Sequence, residues 1–414
     1  MTIQRSLSQW LAYLESIHPT TIDMGLDRVK QVANALQIHF DSRVIIVGGT
    51  NGKGSTCALM EQALLRNGQS VGVYSSPHLL DYRERVRVNG DLPAEAVFCR
   101  AFEQVEVARG ETSLTYFEFG TLAGMLMLMQ ANLDVVILEV GLGGRLDATN
   151  IVDNDIAVIT SIGLDHQDWL GDTREKIATE KAGIIRDAGN VVIGEPEPPV
   201  TLIEAVKEKQ ANALWQGKQF AIEDVEQGLL LTHPDGRKIR LPDTVIPANN
   251  VATAFASLYH LGYHFDDTAI AEVVGNTRLP GRRQLIATQP NTYLDVGHNP
   301  QATQSLAAWL NKQSFSSLHI VIAMLKDKAL APSLAPFEMF KPNWYLASTE
   351  GPRGLSAEVL GNAVPAGQSQ QQFAHVVDAF HAARSQAADD ALILVVGSFH
   401  TVADILALPH NTLK

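Results

Sequence analysis

Lys53 sits between G-G-T-N-G and G-S-T, with the apolar run R-V-I-I-V before this stretch and C-A-L-M-E-Q-A-L-L-R-N-G after it. An apolar strand, a glycine-rich loop and a helix closed by glycine make a phosphate-binding loop. The glycines let backbone N–H groups turn toward phosphate oxygens, and the helix adds its positive end at the same spot. Lys53 would reach the β- and γ-phosphates of a nucleoside triphosphate, and Ser55 or Thr56 would place a hydroxyl on Mg²⁺. The loop is shorter than the common G-x-x-x-x-G-K-[ST] pattern: Val47 stands where the first glycine belongs, and Gly54 follows the lysine directly.

Other reactive side chains fall at the ends of strand-like runs. Glu139 closes D-V-V-I-L-E, and Asp165 and His166 follow I-A-V-I-T. Open α/β sheets bind ligands at the carboxyl ends of their strands, so Glu139 is placed for a nucleotide-bound Mg²⁺ and His166 for a metal or phosphate. Lys181 shares a helix face with Ile177, Ile184 and Ile185. Either burial favours its neutral amine, open to covalent modification, or its stem packs while its head reaches water. Arg83, Arg85 and Arg87 alternate as on a strand and would meet substrate carboxylates or line a solvated edge. Further along, D-V-G-H-N-P sets Asp295, His298 and Asn299 at another strand end.

These groups need an alternating scaffold. Helical spacing over Leu7–Ile17 is stopped by His18-Pro19, and a second helix starts at about Asp27. After the loop helix come strands at 70–75, 135–138 and 156–160, a nearly all-apolar helix from Tyr116 to about Asn132, and a helix capped by Asp172 and Glu175 that runs to about Arg186. Residues 218–246 alternate like a hairpin with H-P-D-G-R at its turn, and a helix follows from Asn250 to about Leu261. Breakers and basic groups at 276–284 mark a domain boundary. Strands at 292–296, 319–323, 344–347 and 392–396 then build a smaller α/β domain. The stretch before the loop is too short for a separate substrate-binding domain.

At 414 residues, two domains are expected. A formal charge of −13 argues against a diffuse nucleic-acid-binding surface, so an anionic substrate must meet local basic groups. Cys57 and Cys99 alone cannot form a disulfide framework, which suits a reducing compartment. The N-terminus lacks a signal pattern, and the apolar run 122–133 is shorter than the roughly 20 residues that span a bilayer. These features predict a cytoplasmic, membrane-free protein.

Several signatures occur in order: G-T-N-G-K-G-S-T, S-S-P-H-L, L-T-Y-F-E-F, E-V-G-L-G-G-R-L-D-A-T-N, G-L-D-H, T-E-K-A-G-I-I-R, R-L-P-G-R and D-V-G-H-N-P. From about Ile22 to the G-S-F-H-T-V-A-D-I-L stretch, the chain resembles the dihydrofolate synthase/folylpolyglutamate synthase family of the Mur-ligase superfamily. That resemblance implies a P-loop NTPase-like, mostly parallel sheet domain over 1–283 that carries the ATP and pteroate sites. A smaller Rossmann-like glutamate-ligase domain follows over 284–414.

The implied activity is ATP-dependent amide formation. L-glutamate would join 7,8-dihydropteroate, or reduced folates, through an acyl phosphate. By motif, Asn51, Gly52, Lys53, Gly54, Ser55 and Thr56 would hold the phosphates, and Asn250, Arg282, Asp295 and His298 the rest of an ATP sandwiched between the domains. Arg283 leaves open which arginine touches phosphate. Ser76, Glu139 and His166 would bind Mg²⁺, and a carbamylated Lys181 would support a second Mg²⁺; Lys53, His166 and Lys181 are the implied catalytic groups. The pteroate site would comprise Gly25, Leu26, Asp27 and Arg28, then Thr115, Tyr116, Phe117 and Glu118, then Leu146, Asp147 and Ala148. A monomer is implied. The alternatives are a folylpolyglutamate synthase alone, a cell-wall Mur ligase, which the short N-terminal stretch disfavours, and a nucleotide-dependent switch without ligase activity.

Overall fold

A computed structural model describes residues 5–18, 20 and 22–409. Pro19 of the expected helix stop lies outside them, as do the first four residues of the N-terminus read for a signal; the first helix ends at Ser16. The chain forms two compact units, Met1–Ile162 with Thr173–Thr277, and Gly163–Asp172 with Arg278–Lys414. Segment 163–172 therefore belongs to the second unit although the first continues after it in sequence.

The first unit is organised on β1 (Arg43–Gly48), β2 (Val71–Tyr74), β3 (Val86–Val88), β4 (Val135–Glu139), β5 (Ile156–Ile159), β6 (Asn190–Ile193) and β7 (Asn212–Trp215). They lie in the order β3-β2-β4-β1-β5-β6-β7. Every pairing is parallel except β2 with β3. Ile45 of β1 aligns with Ile137 of β4 on one side and Ile156 of β5 on the other. All of β4 and all of β1 beyond Arg43 are buried. Covered on both faces, such strands read as unbroken apolar runs. The loops after β1, β4 and β5 consequently leave the sheet side by side at one edge.

Helix ends follow local chemistry. The Tyr116–Gln130 helix starts in a capping box, in which Thr115 accepts from the Glu118 N–H and Glu118 accepts from the Thr115 N–H. The cap expected from Asp172 and Glu175 is instead Thr173, whose hydroxyl accepts from the Lys176 N–H at 3.3 Å, and that helix stops at Ala182 rather than near Arg186. The expected hairpin is a three-stranded antiparallel sheet of β8 (Ala221–Asp224), β9 (Leu229–Thr232) and β10 (Lys238–Leu241), with H-P-D-G-R joining the last two.

The second unit carries β11 (Gln284–Thr288), β12 (Asn291–Leu294), β13 (Leu318–Ile322), β14 (Asn343–Ala347), β15 (Gln370–Phe373) and β16 (Leu392–Val396), ordered β11-β12-β16-β13-β14-β15. Only β11 with β12 is antiparallel. Leu306, Leu310, Ile320, Phe337, Trp344 and Leu394 share one core cluster. Both units are thus α/β with parallel-rich sheets. Among the described residues no helix is long and apolar enough to cross a membrane.

Candidate active site

In the first unit the turn after β1 is pinned by the strand end after β5. The Thr160 hydroxyl donates to the Asn51 carbonyl at 2.6 Å, Ser161 Oγ donates to the same carbonyl at 3.1 Å, and the Thr50 N–H donates to the Ser161 carbonyl at 2.8 Å. Gly49 and Gly52 have φ of +147° and +85°. A Cβ at Gly49 would overlap Thr160 Oγ1, and one at Gly52 would overlap the Asn250 amide. These two positions therefore require glycine on both conformational and steric grounds.

Gly52 caps the Lys53–Arg66 helix. Lys53 Nζ turns back over the loop and donates to the Gly49 carbonyl at 3.1 Å and the Thr50 carbonyl at 3.4 Å. Ser55 and Thr56 are buried in the first turn, and Thr56 Oγ1 has no hydrogen-bond partner among the described residues. Helix N-terminus, lysine and an orphaned hydroxyl together suit a phosphate chain with its hard cation.

Glu139 ends β4 and is 6% exposed. Its Oε2 accepts from the Ser76 N–H at 3.3 Å, and it lies 3.7 Å from where a Gly54 Cβ would stand. Lys181 is buried, which decides between the two readings its helical spacing left open, and its Nζ donates to the Gly49 carbonyl at 3.0 Å. Gly49 thus accepts from both lysines. Ser76, Glu139, Lys53 and Lys181 are brought to one loop edge. Among the described residues no group of three or more His, Cys, Asp or Glu could hold a metal. A cation here depends on one carboxylate, hydroxyls and phosphate oxygens, a donor set suited to Mg²⁺.

The three segments expected to hold pteroate also meet. Arg28 pairs with Glu118 at 2.8 Å and with Asp23 at 2.9 Å. The Asp27–Ala35 helix and the Tyr116–Gln130 helix both pack against the short 3₁₀ turn Ala148–Ile151. Gly25 and Leu146 are half-buried, Asp27 is exposed, and Leu26 caps its helix without a side-chain bond. A Cβ at Gly141 would overlap the Phe117 ring. Asp147 is buried, and that burial pushes its carboxyl up. Its oxygens are taken by the Leu142 N–H, the Thr149 N–H and the Thr149 hydroxyl, so it organises its own loop.

The arginine stripe does not exist. Residues 82–85 form a 3₁₀ turn, and only 86–88 are strand. Arg83 pairs with Asp81 at 2.7 Å and Arg87 with Glu61 at 2.9 Å, while Arg85 is buried among aromatic rings. Turn geometry sends the three side chains to different partners, so strand-like alternation misled.

In the second unit, Asp295 follows β12 and accepts from the Arg283 N–H at 2.9 Å and the Gly297 N–H at 2.8 Å. The adjacent arginines separate. Arg283 is buried against Trp309 and donates to Ser305, whereas Arg282 is half-buried beside Phe399. His298 Nδ1 lies 2.8 Å from the Val296 carbonyl, and its Nε2 lies 3.3 Å from Asp165. Asn299 donates to Asp165 at 3.0 Å, and Lys328 approaches it at 2.6 Å. His166, in the left-handed region at φ +51°, opens the short Gln167–Leu170 helix. Lys328, Thr160 and Ser161 were missed from the sequence. The last two directly follow β5, where strand-end position was a usable signal, whereas Lys328 offered none.

Family models for the Mur ligase middle domain and the Mur ligase glutamate ligase domain match residues 47–264 and 281–399. The chain is 44% identical to the Escherichia coli (strain K12) dihydrofolate synthase/folylpolyglutamate synthase over 402 residues, covering 97% of this chain and 94% of the relative. An E. coli FolC structure in complex with DHPP and ADP superposes with a TM-score of 0.93 at 44% identity, covering 97% of each chain. A bifunctional folylpolyglutamate synthase/dihydrofolate synthase solved with Mn, AMPPNP and L-glutamate gives 0.91 at 44% identity, over 97% of this chain and 98% of the other.

Proposed function

The chain belongs to the dihydrofolate synthase/folylpolyglutamate synthase family of Mur ligases, and on that premise we propose that it joins L-glutamate to 7,8-dihydropteroate and to reduced folates at the expense of ATP. One observation carries the reading: Gly49, Lys53, Lys181 and Glu139 gather around one glycine-built loop, within a chain that matches bifunctional relatives over nearly its whole length.

In this reading the acid's carboxylate oxygen bonds to the γ-phosphorus and the bond to the β-phosphate bridging oxygen breaks, giving ADP and an acyl phosphate. The glutamate α-amine then attacks the acyl carbon, loses a proton, and expels phosphate. Asn51 to Thr56 cradle the phosphates from the first unit, and Asn250 supports Gly52. Lys53 offsets the charge that spreads over the transferring group. Arg282, Asp295 and His298 are proposed as further nucleotide contacts. Ser76, Glu139 and His166 are proposed Mg²⁺ ligands, with a carbamylated Lys181 for a second ion. Bound there, Mg²⁺ would neutralise phosphate charge and orient the in-line oxygens.

Gly25 to Arg28, Thr115 to Glu118 and Leu146 to Ala148 are assigned to the pterin acid, with Arg28 and Glu118 fixing each other. The domain roles over 1–283 and 284–414, a monomeric state and cytoplasmic placement belong to the same proposal.

The test supplies ATP, Mg²⁺ and L-glutamate with dihydropteroate or with a reduced folate, and detects glutamate addition by mass. Phosphate release is expected only when an acid and glutamate are both present. Equal ATP turnover without them would sink the ligase reading, and product from the folate alone would leave a folylpolyglutamate synthase.

A further inference from the structure

Arg85 is 8% exposed, and among the described residues no carboxylate stands within ion-pair distance of it. The acids of the same segment and of its ion-pair partner helix are committed elsewhere. Asp81 pairs with Arg83 and Glu61 with Arg87. Glu84 accepts from the backbone N–H groups of Leu79, Leu80 and Asp81 at 2.7 to 2.9 Å. Asp147 is used up by its own loop.

Burying a guanidinium without an anion is costly. Part of that cost is offset by the faces of Tyr82 and Tyr116, whose centroids lie 5.1 and 5.5 Å from the Arg85 Cζ, and by donation from Arg85 Nε to His78 Nδ1 at 3.0 Å. Tyr116 is the first residue of the Tyr116–Gln130 helix, whose N-terminus therefore adjoins the guanidinium.

We propose that Arg85 is the binding group for the carboxylate of the acid substrate, with the half-buried ring of Tyr116 beside an aromatic acid and Tyr82, packed inside its own aromatic cluster, holding the guanidinium in place. This rests on the ligase reading above. It assigns to one buried arginine the charge recognition first ascribed to three. A guanidinium can meet a carboxylate with two parallel N–H donors, which a lysine cannot.

The experiment measures calorimetric binding of 7,8-dihydropteroate and of its neutral carboxamide to the full-length wild type, Arg85→Met and Arg85→Lys, with circular dichroism melts as the folding control. A hydrogen-bonded charge pair predicts that wild type prefers acid over amide by about tenfold or more, that Arg85→Met binds both alike, and that Arg85→Lys keeps only part of the preference. ATP affinity should stay unchanged in both variants. Equal binding of acid and amide by the wild type overturns the assignment without any variant, and so does a full preference retained in Arg85→Met or Arg85→Lys. A wild type that binds neither compound overturns the ligase reading itself.

Discussion

Lys328 Nζ lies 2.6 Å from Asp165 Oδ1, and the two side chains are only 4% and 8% exposed. Asp165 belongs to segment 163–172 and Lys328 follows β13, so this pair, with Asn299 and His298 on the same carboxylate, fastens that segment into the second unit. Burial alone would push the Asp165 carboxyl up, but His298 and Lys328 hold it well below the usual carboxylate range.

Removing one member of a buried pair leaves the other charge stranded, at a cost of about 3–5 kcal/mol. Asp165→Asn and Lys328→Met should each destabilise the second unit on that scale, and the double variant should lose clearly less than the sum. Hydrogen exchange of the β16 amides measures this within one unit of a two-unit chain. Strictly additive losses would mean that the contact is energetically idle.

Gly49→Ala and Gly52→Ala test the loop. Each adds a methyl at positive φ, where Thr160 Oγ1 or the Asn250 amide already stands. Nucleotide affinity should fall by at least about tenfold for either, while far-UV dichroism stays that of the wild type. A fluorescent ATP analogue reports the affinity, and unchanged binding would show that the loop conformation is not needed to seat phosphate.

The glycine-built loop and the strand-end place of Glu139 were legible because local pattern decides them, continuous apolar strands and glycine before a helix, whereas i, i+4 spacing put Lys181 on an apolar face but left its burial open. What escaped depends on partners distant in sequence. Arg87 turns to Glu61 and Lys328 to Asp165, contacts that no periodicity announces. β15 is Q-Q-Q-F, an edge strand whose polar residues gave no apolar signal, and β11 lies just after the breakers that mark the boundary. The doubled arginines at 282 and 283 became distinct only once one was seen buried against Trp309. Segment 163–172 looked like a loop of the first unit because its carboxylate anchor is formed by residues well over a hundred positions away.

Lys181 Nζ donates to the Gly49 carbonyl that also receives Lys53. Carbamylation would turn this cation into an anion able to support a metal. Lys181→Ala should abolish ligation, with partial rescue by short-chain carboxylic acids that fill the vacated space. Labelled bicarbonate should give a carbamate carbon resonance in the wild type that is missing from the variant. Full activity in Lys181→Ala, or the same resonance in both proteins, would exclude the role.

His233, in the turn between β9 and β10, carries a pH dependence of stability. It is buried, meets Tyr259 edge-on at 5.0 Å, and has Nδ1 2.9 Å from Asp235. Burial lowers its pKa below the ordinary 6.5; Asp235 pulls the other way, while Arg237 and His264 reinforce burial. The unfolded chain then takes up this proton more readily than the folded one. The stability His233 contributes is therefore complete above the unfolded pKa and is lost as pH falls from there toward the folded value. Asp235 is itself held below the usual carboxylate range, so its own loss lies at more acid pH and stays out of this window. Between about pH 8 and about pH 5.5 the wild-type melting temperature should fall more than that of His233→Gln, and the gap between the two should narrow toward acid. A gap that stays constant or widens toward acid would show that folding does not lower the His233 pKa.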